Sequence, residues 1–187
     1  MSTLSEQLHH ENQIRIQKFN DAHFEWMMRF ESEFTHFVTL TFNPARIRHI
    51  VNKSSKSHAG TKSDLLELQK RSFCCFANRL NKSLFGNASV RHANKLLLVP
   101  VLEGLFDGGK THYHCALGIP TDRHQAIEAK VWEAWQHAPL AGSQIDVQPY
   151  RNSGCLGYMN KQSKYINREC IDWGNVRIPV QFPSIAE

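Results

Sequence analysis

His112 and His114 lie two residues apart in a stretch that alternates in character, Thr111-His112-Tyr113-His114-Cys115-Ala116-Leu117. Successive side chains of a strand point to opposite faces, so the two imidazoles project together while Tyr113 faces the other way. Upstream, Lys95 to Leu102 reads as a buried strand, and Phe106-Asp107-Gly108-Gly109 reads as a hairpin turn with Gly where φ > 0 is needed. Such a hairpin sets Glu103 across from the histidines. Two neutral imidazole nitrogens and one carboxylate suit a divalent ion such as Mg²⁺ or Mn²⁺, with positions left open for a substrate phosphate. Glu103, His112 and His114 are therefore the candidate metal ligands. A His-x-His pair alone is weak evidence in a chain with 11 histidines; the acidic residue across the hairpin gives it weight.

The same stretch satisfies the phosphate-loop pattern G-x-x-x-x-G-K-[ST] through Gly104, Gly109, Lys110 and Thr111. That loop needs a helix after it, whose N-terminal amides hold the phosphates. Residues 112 to 118 alternate as a strand and end at Gly118-Ile119-Pro120, so nucleotide hydrolysis is set aside.

The elements that must position these groups follow from periodicity. Residues 4 to 33 have helical spacing without Gly or Pro, an N-terminal helical extension over 1–35 ahead of a domain over 36–187. His36 to Phe42 alternates, with Thr39 and Thr41 on one face and Val38, Leu40 and Phe42 on the other, and Asn43-Pro44 is expected to stop it. Asn52 to Ser63 reads as a flexible loop. Lys62 to Leu84 is an amphipathic helix ended by Gly86, followed by strands at about 94–103 and 111–118. Thr121 is expected to cap a helix with Ile127, Val131, Trp132 and Trp135 in one apolar core stripe. Ser143 to Gln148 alternates as a strand, Ser153 to Asn167 as a helix, and Val176 to Phe182 as a short final strand at an edge. The order β-α-β-β-α-β-α-β predicts an α+β fold: a central antiparallel sheet with helices packed on one face, related to the ferredoxin-like pattern.

Composition bounds the function. At 187 residues and 41% hydrophobic, one domain with a proper core is expected. A net charge of +5 is a mild basic excess that favours a polyanionic partner. The five cysteines, Cys74, Cys75, Cys115, Cys155 and Cys170, show no C-x-x-C spacing, which argues against a disulfide framework or a structural zinc site and for a reducing compartment. No long apolar run or N-terminal apolar segment occurs, so a soluble, intracellular protein is expected.

The expected 153–167 helix carries Tyr158, with Lys161 three and Gln162 four residues on, all on one face, and Tyr165 nearly two turns beyond. A phenol is a poor nucleophile near neutral pH because its pKa is about 10, but a nearby ammonium and a polarised phosphate make attack feasible. Tyr158 is the candidate nucleophile and Lys161 its helper.

Taken together, Phe37-Val38-Thr39-Leu40-Thr41-Phe42, Thr111-His112-Tyr113-His114 and Tyr158-Met159-Asn160-Lys161 resemble, in content and in order, the three motifs of the HUH endonucleases, particularly rolling-circle replication initiators with a single catalytic tyrosine. Glu103 is similar in placement to the acidic third ligand of viral-type initiators. Tyr113 departs from the bulky hydrophobic residue common between the histidines, and can still pack through its ring. The resemblance implies a metal held by Glu103, His112 and His114, attack by Tyr158 on single-stranded or hairpin origin DNA, and a 5′-phosphotyrosine bond with a free 3′-hydroxyl. It further implies separate helicase and polymerase partners, and a cytoplasmic setting in a bacterial, plasmid or phage context or the host nucleus for a eukaryotic virus.

A single-tyrosine transposase shares this order of motifs, and a non-catalytic nucleic-acid-binding module on the same sheet is the reading from another class. The remaining histidines are read as solvated or structural. Arg46, Arg48, Lys53, Lys56 and Lys62 are read as surrounding a loop beside the first strand, within reach of DNA phosphates.

Overall fold

Four segments with period-two alternation pair into one antiparallel sheet. In the computed structural model, which describes residues 3–55, 62–87, 89, 96–104, 110–160 and 171–179, these are β1 (His36–Phe42), β2 (Leu97–Glu103), β3 (His112–Gly118) and β4 (Ala141–Pro149), in spatial order β2-β3-β1-β4. The register sets Glu103 opposite His112, Val101 opposite His114, and Thr39 opposite His114 from the other side. Pairing and parity thus bring residues 60 and more positions apart in sequence to one patch of one face.

Five helices lie among the described residues: α1 (Leu4–Met28), α2 (Pro44–Ser55), α3 (Lys62–Phe85), α4 (Ile127–Gln136) and α5 (Gly154–Asn160). The even residues of β1 and the odd residues of β3 form the larger core. Val38, Leu40, Phe42, Tyr113, Cys115 and Leu117 pack there against Phe73, Phe76 and Leu80 of α3 and Val131 and Trp135 of α4. Each fully buried large apolar side chain contributes roughly 1.5–3 kcal/mol relative to exposure.

The α+β class and the antiparallel sheet agree with the sequence expectation, but helices cover both faces. The second face packs Val99, Val101 and Ala116 against Leu156 and Met159 of α5 and Met27 and Phe30 at the end of α1. The α5 stripe is short and its apolar positions are few, so its burial was not evident from periodicity. The first half of α1 stands clear of this packing: Leu4 and Leu8 are 73% and 53% exposed, and Asn20 is the first buried residue.

Three local expectations are corrected. Asn43-Pro44 does end β1, but it also starts α2, with Asn43 Oδ1 accepting from the amides of Ala45 and Arg46 at 2.9 and 3.2 Å. Arg46 and Arg48 are therefore in α2, which runs into the expected Asn52 to Ser63 loop as far as Ser55 and includes the backbone of Lys53; Lys62 begins α3, and residues 56–61, with Lys56, lie outside the described residues. Thr121 opens a short 3-10 turn, Thr121–Arg123, without a side-chain cap, and α4 begins after Ala126 at φ 58°. Trp132 is 47% exposed, whereas Trp135 is buried and donates from Nε1 to the Thr41 carbonyl at 3.2 Å.

The expected final strand is reduced, among the described residues, to an isolated antiparallel bridge of Arg177 with Leu98. Together with a bridge of Ile171 to Val101, it lays the 171–177 segment along the free side of β2. No described helix is long and apolar enough to cross a membrane.

Candidate metal centre

The β2–β3 hairpin delivers the three predicted ligands as the sequence pattern required. Gly104, at φ +79°, turns the chain directly after Glu103, and a Cβ there would stand 2.8 Å from the Lys110 carbonyl oxygen. Glycine is needed at that position on both counts. Glu103 Oε2 then lies 3.4 Å from His112 Nε2 and 3.6 Å from His114 Nε2, and the two imidazole nitrogens are 3.0 Å apart. One ligand atom from each residue falls within 4.8 Å of the others, a group that can hold a metal ion.

The outer hydrogen bonds set which ring nitrogen faces inward. His112 Nδ1 is 2.7 Å from the Lys110 carbonyl oxygen. A carbonyl only accepts, so Nδ1 carries the proton and, in the neutral ring, Nε2 offers its lone pair to the centre. His114 Nδ1 is 3.0 Å from Thr39 Oγ1, which accepts its proton in the matching tautomer. Burial lowers the His114 pKa to about 4, Glu103 pulling it upward and His112 adding to the fall, so the ring is held neutral.

With Nδ1 of each ring turned outward, both Nε2 atoms and the Glu103 carboxylate converge on one point. In addition, Glu103 is 4% exposed and its Oε1 has no hydrogen-bond partner. Such an arrangement is unfavourable for a buried carboxylate by itself and is resolved by a cation. The donor set of two imidazoles and one carboxylate suits a divalent ion.

Aromatic rings enclose His114. Phe37 of β1 stacks on it with centroids 5.4 Å apart and 22° between planes, and Tyr158 of α5 meets it edge-on at 5.1 Å and 81°. Tyr158 is 52% exposed despite this contact. Leu156 and Met159 are buried beneath α5, anchoring it on the sheet face that carries the histidines. The candidate nucleophile thus neighbours the candidate metal ligand His114. Lys161, Gln162 and Tyr165 lie outside the described residues.

Tyr113, between the histidines, points into the opposite core. It is fully buried, lies 4.1 Å from the Phe73 ring centroid, and donates its hydroxyl to Asp172 Oδ2 at 2.7 Å. Asn175 Nδ2 donates to the same oxygen at 2.7 Å. Sequence reasoning identified neither Asp172 nor the roles of Phe37 and Thr39 around His114. The parity of β1 placed Phe37, Thr39 and Thr41 on one face, and that is the signal that could have found the last two. Asp172 carries no comparable local pattern. No protein-family model, curated protein or solved structure matches the chain.

Proposed function

We propose that this chain is a metal-dependent endonuclease and strand transferase of the HUH type, acting on single-stranded or hairpin DNA at a replication origin through a covalent tyrosine intermediate. The observation that carries the reading is the convergence of Glu103, His112 and His114 in one patch with Tyr158 against His114. A bound Mg²⁺ or Mn²⁺ supplies charge to polarise a phosphate and stabilise its transition state.

The protein's own part begins with the second-face hydrogen bonds, which engage Nδ1 of each imidazole and aim Nε2 at the centre. Half-exposed, Tyr158 is open to a DNA strand laid over this face. Its phenolic oxygen forms a bond to phosphorus as the P–O3′ bond breaks. The phenol loses its proton and the leaving 3′-oxygen gains one, so that the phosphodiester bond energy is retained for rejoining. Lys161, one turn beyond Tyr158 in sequence, is assigned to stabilising phosphate or phenolate charge.

The test is to incubate the protein with labelled single-stranded origin DNA and Mn²⁺ and to look for a covalent adduct that maps to Tyr158. DNA binding without an adduct would support a non-catalytic module instead. Strand joining between element ends carrying subterminal hairpins would assign the chain to transposition.

A further inference from the structure

A second constellation lies on the other side of the sheet, in the helical layer. Along α3, Arg79 and Lys82 are one turn apart; along α4, Lys130, Glu133, Ala134 and His137 follow at three, four and seven residues, so each set forms one stripe. The two stripes face each other across a groove of about 320 Å³, at the lower end of the roughly 300–1,000 Å³ of small-ligand clefts. Ala134 is buried at its floor, whereas Arg79, Lys82, Glu133 and His137 are exposed and Lys130 is half-buried.

None of the three cations makes an ion pair among the described residues, and Glu133 is the single acidic side chain lining the groove. Elsewhere on the surface Arg123 is paired with Asp122 at 3.0 Å. Two helices therefore set three positive charges around one concavity that holds a single acidic side chain, an excess that favours an anion there.

We propose that this groove binds the sugar-phosphate backbone of nucleic acid, as a second contact remote from the metal centre. The groove and Glu103, His112 and His114 lie on opposite faces of the sheet, so one bound segment does not touch both. Its role is to hold a flanking stretch of the same DNA. The choice of a nucleic-acid polymer rests on the reading of the chain as a DNA-processing protein, while the groove's preference for phosphate does not.

The experiment measures binding of the full chain to labelled single-stranded DNA by anisotropy, with chelator present so that cleavage plays no part. The variant Arg79→Gln/Lys82→Gln/Lys130→Gln is compared with Arg15→Gln/Lys18→Gln/Arg29→Gln, which removes two exposed cations of α1 and one at its C-cap. Three lost phosphate contacts are expected to reduce the slope of log K against log salt by about 2, at about 0.7 per contact on a single strand. The control is expected to keep the wild-type slope. Unchanged Mn²⁺ binding verifies that the groove variant is folded.

Equal losses in both variants, or none in the groove variant, would overturn the proposal. So would displacement of DNA by inorganic phosphate where equal ionic strength of chloride has no effect, which would mark a small-anion site. Tighter binding of poly-glutamate than of DNA, lost in the groove variant, would overturn it in favour of an acidic protein partner. Because none of these readouts involves adduct formation, failure of the groove and failure of the nicking reaction are distinguishable.

Discussion

At the scale of single residues, the centre is defined as much by its outer hydrogen bonds as by its ligands. His112→Ala and His114→Ala are expected to abolish Mn²⁺ binding, measured calorimetrically, and Glu103→Gln to weaken it by replacing an anionic oxygen with a neutral one. Thr39→Val tests the less obvious contribution. It removes the partner of His114 Nδ1 at 3.0 Å while nearly preserving shape, and a loss of about 10–100-fold in Mn²⁺ affinity is expected. Retained affinity in Thr39→Val would show that packing by Phe37 and Tyr158 alone orients the ring. Tyr158→Phe keeps the ring contact with His114 and deletes the oxygen proposed as nucleophile, so it should bind metal and DNA normally and form no adduct. Adduct persisting in that protein would move the nucleophile elsewhere.

At the scale of elements, β2 is paired with β3 on one side and bridged by the 171–177 segment on the other. Gly104→Ala puts a Cβ 2.8 Å from a backbone oxygen at φ +79°, and a cost of about 1–3 kcal/mol is expected. Because Glu103 is the adjacent residue, Mn²⁺ affinity should fall with stability in the same protein. A wild-type melting temperature would mean that the turn relaxes freely. On the other face, Tyr113→Phe removes a donor to Asp172, whose Oδ1 already has no partner. Asn175 still donates to that Oδ2, so urea unfolding is expected to show a loss of about 1 kcal/mol. Tyr113→Phe/Asp172→Leu, which removes the acceptor as well, should recover part of that loss. No recovery would show that the hydroxyl is not the source of the effect.

At the scale of the whole molecule, the N-terminal helix divides into two parts. Residues 3–19 are exposed apart from the half-buried Ile16, but Met27, Phe30 and Phe34 belong to the core on the second face. Removing residues 1–19 is therefore expected to shift the urea midpoint little, whereas Met27→Ala should cost about 2–5 kcal/mol. A large loss on truncation would show that the projecting turns are supported by contacts in solution. The end of α1 thus packs on the sheet through Met27, Phe30 and Phe34, and Asn20 is the first buried residue of the chain among those described.

What the sequence determined by itself is what short-range periodicity can encode. Alternation over His36–Phe42 and His112–Gly118 set the faces of β1 and β3, and the Gly-rich stretch after Glu103 pointed to a hairpin whose expected turn, Phe106 to Gly109, lies outside the described residues, so the three candidate ligands were legible before any coordinates. The start of α2 was legible too, in Asn43-Pro44, but the same pair also ends a strand, and local chemistry does not choose between a stop and a cap. Only the tertiary structure decided the rest. Pairing of β1 with β3 brought Thr39 to His114 across 75 positions, and the path of 171–177 brought Asp172 to Tyr113 across 59. Docking of α5 through Leu156 and Met159 turned Tyr158 toward the histidines. Each of these contacts depends on burial against partners distant in the chain, and a local pattern carries no information about which distant surface will cover it.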